Sequence, residues 1–322
     1  NHWLLAWLSL ELNTLSILPI MMRTHHPRVT EATTKYFLIQ ATAAASILFA
    51  STLNAWQTGQ WTIMHTSPTT TTLITIGIIL KLGLAPAHLW YLEVVQGLPM
   101  YTALIVSTWQ KLAPLALLFM LHSSLSQTTM VLTGLLSALI GGWTGLNQTQ
   151  TRKLMASSSI AHMGWLMIAL NMNQSLAVLT TITYLITTTA MFTALATTTT
   201  KTLQDTGMIW TTSPALTTTM MLMLLSLGGL PPMTGFMPKL LILAELAHTN
   251  LTLLSTLLLA TTLPSLFFYT RMAYLTILTA PPTTTNMKLN WRLISNLPTT
   301  ITAAATSTCL LLPLAASLYN VT

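Results

Sequence analysis

The sequence carries too little charge to fold as a water-soluble globule. Only 5% of its 322 residues are Asp, Glu, Lys or Arg, whereas a soluble domain uses these four types for about a quarter of its residues. Hydrophobic residues make up 52%. Such a chain cannot cover its surface with charged groups, and its alternative solvent is lipid. The composition predicts an integral membrane protein and argues against a soluble enzyme.

Composition also argues against two other classes of function. The 12 Lys and Arg residues are spread along the chain and form no basic stripe that could follow a phosphate backbone, so we expect no nucleic-acid partner. Cys309 is the only cysteine, which rules out internal disulfides, thiolate zinc sites and cysteine-ligated iron–sulfur clusters. No pair of helical histidines indicates a haem. We therefore predict neither a metal site nor a cofactor site in this chain.

Ten apolar segments are long enough to cross a membrane as helices, which takes about 20 residues. They are 2–21, 35–56, 71–92, 100–121, 129–147, 154–171, 176–199, 216–247, 251–272 and 298–317. We predict an all-α, polytopic membrane protein with about ten transmembrane helices in a single domain, residues 1–322. Its first half is about 2–121, its second half about 129–272 and its terminal helix about 298–317.

The basic residues predict how these helices are oriented. With ten helices, the odd-numbered loops share one side of the membrane. Nine of the 12 basic residues lie in those loops: Arg23, Arg28, Lys35, Arg152, Lys153, Lys201, Arg271, Lys288 and Arg292. Loops 57–68 and 122–127, on the other side, contain no Lys or Arg. This asymmetry is typical of membrane proteins, and the nine residues mark the side that is not translocated.

The other three basic residues, Lys81, Lys111 and Lys239, lie inside apolar segments, as does Glu11. At 1.5 Å per residue these positions are near the membrane midplane. An ionisable group there costs a few kcal/mol, so it faces a partner or a wet cavity and is a candidate functional residue. A static Glu11–Lys81 ion pair that braces the helices is the alternative. It leaves the other two lysines without an obvious partner.

Two histidines and one further carboxylate also lie in or near these segments. His162 could link Lys111 to Lys239, or could simply bond a hydroxyl such as Ser158 or Thr183. His88 could line a water entrance. Glu245 could be an exit group or a hydrated residue at a helix end.

Two lysine-bearing segments are interrupted. One contains Lys81-Leu-Gly-Leu-Ala-Pro86, and the other contains Gly228-Gly-Leu-Pro-Pro232 ahead of Pro238-Lys239. Splitting 216–247 into two full spans would put Arg271 on the uncharged side, so we expect one broken helix there. Paired broken helices are typical of inverted-repeat transporters with ion sites at the midplane. A simple proline kink would explain either break alone, but breaks with lysines in both halves favour ion transport.

Four motifs stand out in combination: Lys81-Leu-Gly-Leu-Ala-Pro-Ala-His-Leu-Trp90, Thr108-Trp-Gln-Lys-Leu-Ala-Pro114, Ser157-Ser-Ser-Ile-Ala-His-Met-Gly-Trp165 and Leu227-Gly-Gly-Leu-Pro-Pro-Met-Thr-Gly-Phe-Met-Pro-Lys239. Together they resemble the chain 2 family of antiporter-like membrane subunits of respiratory complex I, the mitochondrial NADH:ubiquinone oxidoreductase. The resemblance extends from Trp3 to about Trp291.

The resemblance implies a proton-translocating subunit of the complex I membrane arm. In that family a Glu pairs with a Lys on a broken helix, followed by a central Lys and a terminal Lys on a second broken helix. By motif these roles fall on Glu11, Lys81, Lys111 and Lys239, and His162 is a further candidate for the relay. Family members carry another helix ahead of the His2–Trp3 segment, so we expect this sequence to lack it.

The resemblance also implies a setting for the chain. It would be a multi-pass protein of the mitochondrial inner membrane, with its basic side in the matrix. NADH, flavin, iron–sulfur clusters and ubiquinone would be handled by other subunits, and its partners would be membrane-arm subunits and phospholipids. The buried charges alone also allow a freestanding cation/proton antiporter, or a structural membrane module without a proton path of its own.

Overall fold

The computed structural model describes residues 2–211, 213–231, 233–277 and 299–310, and these form an all-helical fold. The helices are α1 Trp3–Met22, α2 Pro27–Thr58, α3 Pro68–Leu82, α4 Leu89–Gly97, α5 Met100–Ser107, α6 Trp109–Leu121, α7 Gln127–Gly145, α8 Thr151–Met172, α9 Gln174–Thr198, α10 Leu203–Gly207, α11 Pro214–Gly228, α12 Phe236–His248, α13 Thr252–Ile277 and α14 Thr299–Leu310. Two isolated β-bridges, His2 to Thr62 and Gln150 to Thr202, pin loops together. The predicted all-α class is confirmed. Lys288 and Arg292 lie outside the described residues.

Five helical stretches among the described residues are long and apolar enough to cross a membrane. They are Trp3–Met22, Pro27–Thr58, Met100–Ser124, Gln174–Thr198 and Thr252–Thr276. Large apolar side chains cover the outside of the fold, including Trp56 at 84% exposure and Leu253 at 73%. A lipid environment accounts for this surface, because water would not tolerate so much exposed apolar area.

The two predicted helix breaks are confirmed. Segment 71–92 consists of α3 and α4 with a loop between them, and segment 216–247 consists of α11 and α12. Segment 100–121 was predicted as one membrane-crossing helix, and the structure has one membrane-crossing stretch there, Met100–Ser124, but its helix is interrupted. It is divided at Thr108 into α5 and α6, where the backbone departs from helical geometry with φ −112° and ψ −71°.

Threonine and serine hydroxyls are accommodated inside these helices by bonds to the helix itself. Thr75 donates to the carbonyl of Thr72 at 2.7 Å, and Thr188 donates to the carbonyl of Tyr184 at 2.7 Å. A hydroxyl bonded one turn back is not left unsatisfied in an apolar environment. A threonine-rich chain can therefore form apolar helices.

Helices α7 and α8 approach each other closely because small residues line their contact. A Cβ added at Gly141 would lie 2.5 Å from the backbone nitrogen of Ala161, and one added at Gly164 would lie 2.6 Å from that of Ala138. Small residues at such spacing allow helix backbones to pack tightly in membranes. This packing fixes α8, which carries His162.

Candidate functional site

Lys81 lies in the last turn of α3, just before the first break. The helix ends because Gly83 adopts φ +69° and its N–H bonds back to Leu80 O, while Leu84 N bonds to Ile79 O. This is a glycine C-cap, which stops a helix at low cost because glycine has no Cβ. The Lys81 side chain is only 5% exposed. Its own carbonyl accepts a 3.2 Å bond from the buried Gln40 side chain.

Glu11 lies on α1, partly buried, near Lys81 and Tyr36. It is close enough to act electrostatically on both residues. Among the described residues, however, the ion pairs within 4.0 Å are those of Lys35 with Glu31 and with Glu93. Glu11 Oε2 and Lys81 Nζ are both buried, and neither has a hydrogen-bond partner in the described part of the chain. The two charges are neighbours without forming a closed ion pair.

Lys111 lies one turn after the break between α5 and α6 and is 3% exposed. Its Nζ donates a 3.2 Å hydrogen bond to the hydroxyl of Tyr184. The same nitrogen lies 4.7 Å from the ring centre of Tyr91 and 5.3 Å from that of Tyr184. Two aromatic faces attract a cation at these distances. The surroundings of Lys111 can therefore hold a positive charge without a carboxylate.

A narrow cavity, with about 10 Å³ of space open to a water molecule, lies between Lys81 and Lys111. Both lysines line it, together with polar side chains from four helices. One polar cluster in its wall is formed by Asn13, whose amide donates to Gln110 Oε1 at 3.0 Å, and by Tyr36, whose hydroxyl donates to the same oxygen at 3.3 Å. The cavity provides a polar connection between the first two lysines.

Lys239 lies in the first turn of α12, directly after the second break. Its Nζ donates a 2.8 Å bond to the carbonyl of Gly228, the last residue of α11. Gly229 closes α11 with φ +74°, the same C-cap that Gly83 provides for α3. The carbonyl end of a helix is the negative end of its dipole and stabilises a cation. The break in the helix therefore exposes the carbonyl group to which the Lys239 ammonium binds.

A second narrow cavity, with about 30 Å³ of space open to water, lies between His162 and Lys239. His162 Nε2 lies 3.4 Å from the hydroxyl of Tyr269. The two hydroxyls expected as alternative partners donate elsewhere: Ser158 to Met155 O and Thr183 to Thr180 O. The ring of His162 also lies 6.0 Å from that of Tyr184. His162 thus occupies the region between Lys111 and Lys239.

Sequence reasoning missed Tyr184, which touches both parts of the site. It bonds Lys111, which lines the first cavity, and its side chain lines the second. The sequence did contain one signal for Tyr184, which is the single tyrosine of the apolar helix α9. A buried tyrosine hydroxyl needs a hydrogen-bond partner, so its position indicates a polar contact.

Two further residues that the sequence singles out, His88 and Glu245, lie outside the two cavities. His88 is buried in the loop between α3 and α4, where its Nδ1 lies 3.1 Å from Pro86 O. Glu245 is partly buried in the second half of α12 and lines neither of the two cavities. Neither residue contacts the lysines through a hydrogen bond in the described part of the chain.

Several of the basic residues that were predicted to share one side of the membrane lie together in the structure. Two adjoining surface depressions are lined by Arg28 and Lys35 at the start of α2, Arg152 and Lys153 at the start of α8, and Lys201 between α9 and α10. Arg152 also has a structural role, because it donates 3.2 Å and 2.7 Å bonds to the carbonyls of Gln96 and Leu98. This basic face is separate from the buried lysines.

Comparisons with known proteins match nearly the whole chain. Residues 1–265 match the family described as NADH:quinone oxidoreductase/Mrp antiporter, TM, and residues 266–319 match NADH dehydrogenase subunit 2 C-terminus. NADH-ubiquinone oxidoreductase chain 2 of Tetraodon nigroviridis is 52% identical over 316 residues, which are 98% of this chain and 90% of that protein.

Two solved structures share the fold. A chain of respiratory complex I from Thermus thermophilus, solved with bound aureothin, superposes with a TM-score of 0.85 at 28% identity, covering 98% of this chain and 73% of that one. A chain of the archaeal membrane-bound sulfane sulfur reductase superposes with a TM-score of 0.86 at 18% identity, covering 98% and 69%. With these family matches and half of its residues shared with a chain 2 protein, the chain belongs to the NADH-ubiquinone oxidoreductase chain 2 family, antiporter-like membrane subunits of respiratory complex I.

Proposed function

We propose that this chain conducts protons across the mitochondrial inner membrane through Glu11, Lys81, Lys111, His162 and Lys239. As a member of its family it is a multi-pass subunit of NADH:ubiquinone oxidoreductase in that membrane. Other subunits hold the NADH, flavin, iron–sulfur and ubiquinone sites, and electron transfer there drives the proton movement here. Its partners are the neighbouring membrane-arm subunits and phospholipids, and it binds no nucleic acid.

The arrangement of the two cavities carries this proposal. Lys81 and Lys111 line the first, and His162 and Lys239 line the second. Ionisable groups buried at membrane depth are costly and are retained mainly where they conduct ions or protons. A role as static ion pairs would need each lysine to hold a carboxylate. None of the three does so within the described residues.

Proton movement starts at Glu11 and Lys81, which lie near each other without forming a closed ion pair. A carboxylate close to a lysine makes the ammonium form more favourable, and withdrawing it makes the proton easier to release. A change in the position or charge of Glu11 would therefore alter how firmly Lys81 holds its proton. The released proton crosses the first cavity to Lys111, passes by way of His162 and reaches Lys239.

The repeated helix ends support the proposed architecture of ten transmembrane helices in two inverted repeats, about 2–121 and 129–272. In α3 the Gly83 and Leu84 N–H groups bond to Leu80 O and Ile79 O. In α11 the corresponding groups of Gly229 and Leu230 bond to Ser226 O and Leu225 O. A broken helix at the same place in each half is the arrangement found in transporters with midplane ion sites.

Replacing Lys111 by Met in the complete complex tests the proposal. Met keeps most of the side-chain volume and removes the titratable group. In sealed inner-membrane vesicles, we expect normal assembly and fewer protons translocated per NADH oxidised. The matched control is Lys153→Met, on the basic face outside both cavities. Unchanged proton stoichiometry in Lys111→Met would indicate a structural module, and cation-dependent transport by the purified chain alone would indicate a freestanding antiporter.

A further inference from the structure

The hydroxyl of Tyr184 has an unusual position. It accepts a 3.2 Å hydrogen bond from Lys111 Nζ and donates a 2.7 Å bond to the carbonyl of Ser107. That carbonyl is available because the helix is broken at Thr108. The Lys111 N–H, which would bond to Ser107 O in an unbroken helix, bonds to Thr108 O at 3.3 Å instead. Tyr184 therefore makes use of a backbone acceptor that only the break provides.

Tyr184 also separates the two cavities. Its side chain is buried, bonds to the lysine at the end of the first cavity and forms part of the wall of the second. The second cavity contains His162, whose ring centre is 6.0 Å from that of Tyr184. In the described residues, Tyr184 is the hydrogen-bond partner of Lys111. A proton that leaves Lys111 for the second cavity meets this hydroxyl first.

From these contacts we infer that the Tyr184 hydroxyl is the proton-transfer group that connects Lys111 to the second cavity, an inference that rests on the proposed function. A phenol can donate and accept at once, whereas a lysine ammonium can only donate. The hydroxyl can therefore pass a proton on without remaining ionised.

The transfer can be written in two steps. First, the O–H of Tyr184 turns from Ser107 O towards the second cavity. Then a Lys111 N–H bond breaks as a new O–H bond forms on Tyr184, and the original hydroxyl proton passes to His162 or to a water molecule beside it. Lys111 becomes a neutral amine, the acceptor gains one positive charge and Tyr184 is unchanged. The hydrogen bond to Ser107 O corresponds to the resting state.

Two substitutions at this position separate a relay from a packing role. Tyr184→Phe keeps the ring against Lys111 and His162 and removes only the hydroxyl. Tyr184→His fits the space less well but restores a group that can accept and release a proton. If Tyr184 only packs, Phe is the better replacement. If it relays protons, His is the better replacement.

The measurement is the number of protons translocated per NADH oxidised by the complete complex in sealed vesicles, with assembly checked by native electrophoresis. We expect Tyr184→Phe to assemble and to lose as much translocation as Lys111→Met, and Tyr184→His to recover part of it. Tyr101→Phe is the matched control, since Tyr101 is 59% exposed and outside both cavities. It should match the unsubstituted complex.

Two different outcomes would contradict this inference, and the measurements distinguish them. Normal translocation in Tyr184→Phe, or a loss that His reverses no better than Phe, overturns the role of Tyr184 while Lys111→Met still shows its loss. Normal translocation in Lys111→Met as well overturns the proposed function itself.

Discussion

Lys239 Nζ donates a 2.8 Å hydrogen bond to the carbonyl oxygen of Gly228, so the lysine on α12 caps the end of α11 across the helix break. The next residue, Gly229, has φ +74°. A Cβ added at Gly229 would lie 2.8 Å from Lys239 Nζ. One glycine therefore serves two purposes: it ends the helix, and it leaves room for the ammonium group.

Replacing Gly229 by Ala should displace Lys239 as well as strain the backbone. The left-handed conformation alone costs an alanine about 1–2 kcal/mol. Gly59→Ala is the matched control, because Gly59 has φ +71° and a Cβ there would meet nothing within 4 Å. We expect both variants to lower the melting temperature of the complex, and Gly229→Ala alone to reduce proton translocation. Equal translocation in the two variants would contradict a role for the Gly229–Lys239 contact.

Replacing Glu11 by Gln should weaken proton conduction without preventing assembly. The amide keeps the shape of the side chain and removes the negative charge that acts on Lys81. Since the two groups form no closed ion pair, the loss of direct bonding is small. We expect fewer protons per NADH in vesicles. Glu31→Gln is the control, because that carboxylate is exposed and pairs with Lys35. A static brace would instead show as poor assembly of Glu11→Gln with normal stoichiometry in the complex that does form.

The sequence predicted those features of the site that depend on residues close together in the chain. Gly83 and Gly229 end helices through their own backbone freedom, and Lys81, Lys111 and Lys239 are conspicuous because charge is otherwise rare in apolar segments. The division of segment 100–121 at Thr108 was not predictable in this way. Its freed carbonyl, on Ser107, is satisfied by Tyr184, which is 77 residues away in the chain. A similar separation, 73 residues, hid Tyr184 as a partner of Lys111.

Replacing Gly141 by Val should disturb the packing of α7 against α8. A Cβ there would lie 2.5 Å from the backbone nitrogen of Ala161, which cannot move without moving the helix. Overpacking of this kind costs about 1–3 kcal/mol. Because Ala161 adjoins His162, we expect lower thermal stability and a reduced proton yield together. Ala116→Val, at an exposed position of α6, is the control. Equal melting temperatures for the two variants would contradict the tight α7–α8 contact.

Replacing Gln40 by Leu tests how the first helix break is supported. The buried Gln40 amide donates to Lys81 O at 3.2 Å, at the end of α3 where helical N–H donors run out. Leu has a similar volume and no donor, so it leaves a buried carbonyl unsatisfied at a cost of about 1–3 kcal/mol. We expect faster amide hydrogen exchange in residues 79–84 of the assembled complex. The substitution leaves the side chain of Lys81 itself unchanged. Thr42→Val serves as the comparison, because the exposed Thr42 hydroxyl bonds only within its own helix. Unaltered exchange in Gln40→Leu would mean that the glycine cap alone stabilises the end of α3.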